Sequence, residues 1–187
     1  MIDDPTFSVL NAVYLKKMAA AVQVTELTEA SAASVDGILA QAIAQGWLME
    51  VEGKFMLLPE GTQAVLDGYD ARYGDQRRDE RVEDWYRRFE TLNGQFIRQV
   101  SEWQGDGGER AQGRLMRSIG RLVKSIGELV PSIPRYVGYI HRFEHGLRLI
   151  DQGRLEYIAN PTLDSVHNVW FEFHEDILSV LGRPRDA

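Results

Sequence analysis

Apolar side chains recur along this chain at helical spacing, interrupted once by a short run with strand character. Residues 6–21 read as a first helix, with Phe7, Leu10, Val13 or Tyr14, and Met18 on one face. Val24 to Ala30 gives a short second helix. Ser31 or Ser34 can cap a third, which carries Val35, Ile38, Leu39, Ala42 and Ile43 and stops at Gly46. Two short strands are expected next, Trp47–Glu52 and Phe55–Leu58, joined by a tight turn at Gly53-Lys54. Pro59-Glu60-Gly61 then opens a helix that runs to about Tyr73.

Beyond this point the pattern is helical throughout. The charged stretch Asp75 to Glu83 has no glycine or proline and reads as the solvated start of a long helix. Val82, Trp85, Phe89, Leu92, Phe96, Val100 and Trp103 then follow at intervals of three and four, the mark of a helix–helix seam. Gly105-Asp106-Gly107-Gly108 breaks that seam. Leu115, Ile119, Leu122, Ile126 and Leu129 form a second. Pro131 and Pro134 bracket a turn, and Tyr136, Ile140, Phe143, Leu147 and Ile150 form a third. Val166, Trp170, Phe173, Ile177 and Val180 form a fourth. The predicted fold is mainly α: a winged helix over residues 1–73 (helices plus a two-stranded wing), then an antiparallel bundle of about four helices over 74–187.

Composition narrows the class. The 187 residues are 44% apolar, enough for a core, and contain no cysteine, so neither disulfides nor thiolate metal sites arise. The acidic start lacks an apolar leader, and no run approaches the length of a membrane span, which points to the cytoplasm. The net charge of −7 is one-sided. Residues 1–70 hold three basic and ten acidic side chains, and the remainder is balanced.

The segment Gln45-Gly46-Trp47-Leu48, then Gly53-Lys54-Phe55-Met56-Leu57-Leu58-Pro59-Glu60-Gly61, resembles the recognition-helix end, wing and exit of MarR-like winged helices. That resemblance covers about the first 70 residues and implies a fold; it also raises the reading of a transcriptional regulator whose helical half dimerises or binds an effector. In a regulator, Ser34, Gln41 and Lys54 would be the DNA contacts. Charge opposes this. The third helix has no Arg or Lys, and the wing sets Glu50 and Glu52 against Lys54 alone. Phosphate neutralisation drives duplex binding, so nucleic acid is an unfavourable partner for this module.

All four histidines fall between residues 141 and 174. His141-Arg142-Phe143-Glu144-His145 spells the inverted zinc-peptidase pattern, and two histidines four apart on a helix can chelate zinc. The seam residues Ile140, Phe143 and Leu147 turn both histidines outward, and no third ligand accompanies them, so no metal is expected. His167 and His174 are more informative. They lie seven apart on one helix face, flanking Trp170 beside Phe171. Histidines among aromatics at a bundle rim can hold a ligand or partner, with Arg135, Arg142 and Arg148 on the preceding helix supplying positive charge; the plainer alternative is a half-buried structural pair. Phe171 and Leu178, rimmed by Glu172, Glu175 and Asp176, extend the apolar surface of this helix beyond what a core requires. The candidate ligand or partner contacts are therefore His167, Trp170, Phe171, His174 and Arg142.

No phosphate loop, dinucleotide fingerprint or nucleophile elbow is present, so no catalytic residue or cofactor is assigned and independent catalysis is not expected. The stretches Phe89-Glu90-Thr91-Leu92-Asn93-Gly94-Gln95-Phe96, Trp103-Gln104 and Asp164 to Asp176 resemble helical regions that accompany phosphoenolpyruvate-utilising phosphotransferases of the pyruvate phosphate dikinase type. The phosphocarrier histidine loop and ATP-grasp region of those enzymes are absent. The resemblance thus implies a non-catalytic accessory or interaction subunit, whose partner is a larger catalytic subunit or a second copy, with no membrane involvement.

Overall fold

The computed structural model describes residues 2–28 and 30–184. It is mainly helical, with one two-stranded antiparallel sheet. The chain forms two compact units. One holds the described residues up to Asp75 together with those from Leu178 onward; the other holds residues 76–177.

The first unit runs α1 (Asp4–Lys16), α2 (Ala21–Thr28), α3 (Ala32–Ala44), β1 (Leu48–Val51), β2 (Lys54–Leu57) and α4 (Pro59–Tyr73). Asp3 caps α1 by accepting from the Thr6 amide at 2.9 Å. The helix stops at Lys16, short of the expected residue 21, because Lys17 turns left-handed at φ 64°. That reversal lets Ala19 exchange both backbone hydrogen bonds with Phe55, at 2.8 and 3.0 Å. A long-range pairing thus overrides local helical periodicity, and Met18 is left exposed. The second helix also starts earlier than its apolar pattern indicates, because the Gln23 side chain accepts from the Ala20 amide. Ser31 is the cap of α3, accepting from the Ser34 amide at 3.2 Å.

The hairpin pairs Leu48 with Leu57, Met49 with Met56, Glu50 with Phe55 and Val51 with Lys54. Its turn is therefore Glu52-Gly53, one residue earlier than expected. Both residues have positive φ (52° and 75°), as a type I′ turn requires, and this twist matches that of the strands. Leu10, Val13, Val24, Val35, Leu39, Leu48, Val65 and Tyr69 are buried. The Tyr69 hydroxyl donates to Asn11 Oδ1 at 2.7 Å, which pairs these two buried side chains.

The second unit contains α5 (Glu80–Asp106), α6 (Glu109–Leu129), α7 (Val137–Asp151) and α8 (Val166–Leu181) up to Ile177. The expected helical start at Asp75 is instead a 3-10 turn over Gln76–Arg78, and α5 begins at Glu80 behind the capping carboxylate of Asp79. Gly107, left-handed at φ 61°, ends α5 and lets α6 reverse beside it. Along α6 the seam residues Leu115, Ile119, Leu122, Ile126 and Leu129 are all buried. Trp85 crosses from α5 to donate its indole N–H to the Ser125 carbonyl at 2.8 Å. Among the described residues, no helix is long and apolar enough to cross a membrane.

Candidate functional site

Helix α8 presents two different faces to the second unit, one aromatic and one ionic. The aromatic face follows from Val166, Trp170, Phe173 and Ile177, which recur at intervals of four, three and four and are all buried. Trp170 stacks on Phe96 of α5 with ring centroids 3.7 Å apart and planes 3° from parallel, and its indole N–H donates to Asn93 Oδ1 at 2.9 Å. Phe173 is met edge-on by Trp85, Phe89, Tyr136 and Tyr139, at 5.1 to 5.9 Å.

His167 and His174 border this cluster. The His167 ring lies over Phe96 at 6.2 Å, and His174 meets Phe89 edge-on at 5.3 Å. Burial holds the His167 imidazole below its usual range, so it favours the neutral form. Phe171 is 45% exposed one turn away. Four of the five proposed contact residues thus lie along α8, but Trp170 serves the core and Phe171 alone among them is exposed.

Arg142 does not join them. Its side chain donates to Asp164 at 2.9 Å through Nε and to Glu172 at 2.7 Å, on the other side of α8. Burial pulls the guanidinium pKa down, but the hydrogen bond it donates to Asp164 and the charge of Glu172 more than offset this, so the group stays firmly protonated. One turn along, the fully buried Asp176 is clasped by both terminal nitrogens of Arg135. The Tyr139 hydroxyl also donates to it at 3.0 Å, and the Tyr136 hydroxyl lies 3.4 Å away. Burial, then the nearby Asp176 charge, push the Tyr139 phenol well above its ordinary value. Arg135 and Arg142 are therefore engaged by carboxylates and add no positive charge beside the histidines, while Arg148 is exposed on α7.

The carboxylates expected at a charged rim are buried: Glu172 is 6% exposed, Glu175 8% and Asp176 0%. The reason is complementary spacing. Arg135, Tyr139 and Arg142 share a face at intervals of four and three, and Glu172 and Asp176 answer them four apart on α8. Sequence reasoning missed Tyr139, Asp164 and this ionic seam, though the matched intervals carry its signal. A cluster whose arginines and carboxylates satisfy one another locks packing and does not present a reactive group.

The exposed residues proposed for duplex contact in the first unit are Ser34 and Gln41, seven apart on α3, and Lys54 at the start of β2. His141 and His145 are both exposed on α7, and His145 packs its ring edge near Tyr157. No group of three or more potential metal-binding side chains occurs among the described residues. No protein-family model, curated protein or solved structure matches this chain.

Proposed function

We propose that this chain is a non-catalytic interaction subunit, a winged-helix module joined to a four-helix bundle, that acts through protein contact within a larger enzyme assembly. Phosphoenolpyruvate-utilising phosphotransferases are the candidate class of enzyme. The observation that carries this reading is the exposed surface of α3. A DNA-reading winged helix presents basic and amide side chains there. Here Ser34, Asp36 and the amide Gln41 are exposed, with the amide Gln45 just past the helix, but the basic side chains are missing: none of these residues is cationic. The hairpin adds the exposed Glu50 and Glu52. Such a surface gains nothing from counterion release, which supplies most non-specific duplex affinity.

The second reading, a regulator, is favoured by one observation: Ser34, Gln41 and Lys54 are all exposed, so a cationic partner subunit would leave them free to reach base edges. Affinity purification of the tagged chain from its native cell, followed by native mass spectrometry, separates the two. The accessory reading expects a stoichiometric complex with a larger catalytic chain. A homodimer that co-purifies with DNA fragments and no other protein would reverse it.

A further inference from the structure

Helix α6 carries two adjacent rows on its exposed side. Arg110, Arg114, Arg117, Arg121 and Lys124 recur at intervals of four, three, four and three, so they share one face, and all are exposed. Arg114 pairs with Glu102 of α5, and Arg121 donates to the Ser118 hydroxyl of its own helix. Among the described residues no carboxylate pairs with Arg110, Arg117 or Lys124; Glu128, at the end of the row, is held by Arg88, and Glu109 stands in the first turn. The exposed charges described on α5 balance, and α7 exposes Glu144 and Asp151 against Arg148. Positive charge is thus concentrated on α6. The second row is Gly113, Gly120 and Gly127, seven apart. The first two each lie three residues after one cation and four before the next, so the rows run side by side. A glycine inside a helix is destabilising relative to alanine. The chain's own packing does not call for these: a Cβ at Gly120 or Gly127 would meet nothing within 4 Å, and one at Gly113 only the flexible end of Arg117, at 3.4 Å.

A glycine lane beside a cation row fits another helix, whose backbone can come close while its carboxylates reach the cations. The chain itself carries such a helix. On α4, Glu60, Asp67 and Asp70 are exposed at intervals of seven and three, and Gln63 donates to Asp67 at 2.8 Å from the same face. Ala64 and Ala71 lie four residues after Glu60 and Asp67, half-buried and exposed respectively. Helix α4 therefore repeats the seven-residue spacing of α6 with the opposite charge and small side chains alongside. The cations of that module stand elsewhere: Lys16 and Lys17 at the end of α1, Lys54 on the hairpin, and Arg72 turned to Asp4. A duplex or an anionic vesicle would also meet the α6 cations, but neither makes use of the glycine lane.

We propose that the outer face of α6 docks α4 of a second copy, its cations against Glu60, Asp67 and Asp70 and its glycines against Ala64 and Ala71. The contact goes beyond the interaction-subunit reading, which stands whether or not the chain self-associates. Sedimentation velocity of the full chain over a range of protein and salt concentrations tests it. The expected result is reversible self-association that weakens as salt rises. Three variants, each checked for fold by circular dichroism, address the two rows. Arg117→Glu with Lys124→Glu reverses the charge of α6, Glu60→Lys with Asp67→Lys reverses that of α4, and Gly120→Leu fills the lane where the chain's own atoms leave open space. Each alone should raise the dissociation constant at least about tenfold. Mixed together, the two charge variants present opposite charges to one another and should associate again. A chain that stays monomeric at every concentration, association that persists undiminished at high salt, three variants that behave like the parent, or a mixture that fails to associate would overturn the proposal. Saturable binding of a duplex or of anionic vesicles, lost with Arg117→Glu and Lys124→Glu and unaccompanied by self-association, would assign the row to phosphate and also overturn it.

Discussion

Replacing Asp176 with alanine probes the ionic seam directly. The carboxylate is fully buried, and both terminal nitrogens of Arg135 and the Tyr139 hydroxyl converge on it. Removing one partner of a buried ion pair typically costs about 3–5 kcal/mol, because the other charge is left uncompensated. Arg135 retains 29% side-chain exposure, so water recovers part of its solvation and the low end of that range applies. Tyr139, only 6% exposed, loses its acceptor with no such relief. The expected loss for Asp176→Ala is thus about 3 kcal/mol. Tyr139→Phe, which deletes one hydrogen bond and its donor together, should cost about 1 kcal/mol. Urea unfolding followed by tryptophan fluorescence suits the measurement, since Trp85, Trp103 and Trp170 all lie in the second unit. The double replacement Arg135→Met with Asp176→Leu should recover most of the loss, as apolar substitution of a buried pair is often close to neutral. An Asp176→Ala variant within about 0.5 kcal/mol of the parent would refute the claim that this seam locks the unit.

Other consequences follow from the same geometry. Tyr139 has a raised pKa in the folded state, so its contribution is fully present below the ordinary value of 10.0 and is lost as pH climbs above it; Tyr139→Phe should flatten that alkaline decline in urea midpoints, and identical profiles would contradict the burial argument. Gly146→Ala should destabilise by about 1–3 kcal/mol, because its methyl would lie 2.6 Å from Val166 Cγ1. Gly120→Ala on α6, where a methyl meets nothing within 4 Å, should instead stabilise by up to about 1 kcal/mol; thermal melts that fail to separate the two would show the contact to be unimportant. Trp170→Ala should cost about 3–5 kcal/mol, and an unchanged melt would mean that its stack on Phe96 does not form.

The seams were the most legible part of this chain. Leu115 through Leu129 recur at strict helical intervals, and burial on one helix side is what such periodicity encodes. Legibility failed where a distant residue decides a local conformation. Nothing near Lys17 signals the left-handed turn that ends α1; the pairing of Ala19 with Phe55, 36 positions away, requires it. The hairpin turn was displaced by one residue because Gly53 can serve as either turn position, and only the strand register selects the second. Glu172 and Asp176 look like solvated rim charges until Arg135 and Arg142 are seen opposite them. Charged residues reveal their burial only through their partners, and those lie on another helix.

The central claim is that the first unit meets protein and not DNA. The fluorescence anisotropy of a labelled duplex from the chain's own promoter region, titrated with the purified protein at physiological salt, tests it most directly. The absence of cationic residues from α3, with Glu50 and Glu52 on the hairpin, predicts no saturable rise. Saturable, sequence-specific binding at nanomolar concentration, lost on Lys54→Ala, would contradict the account.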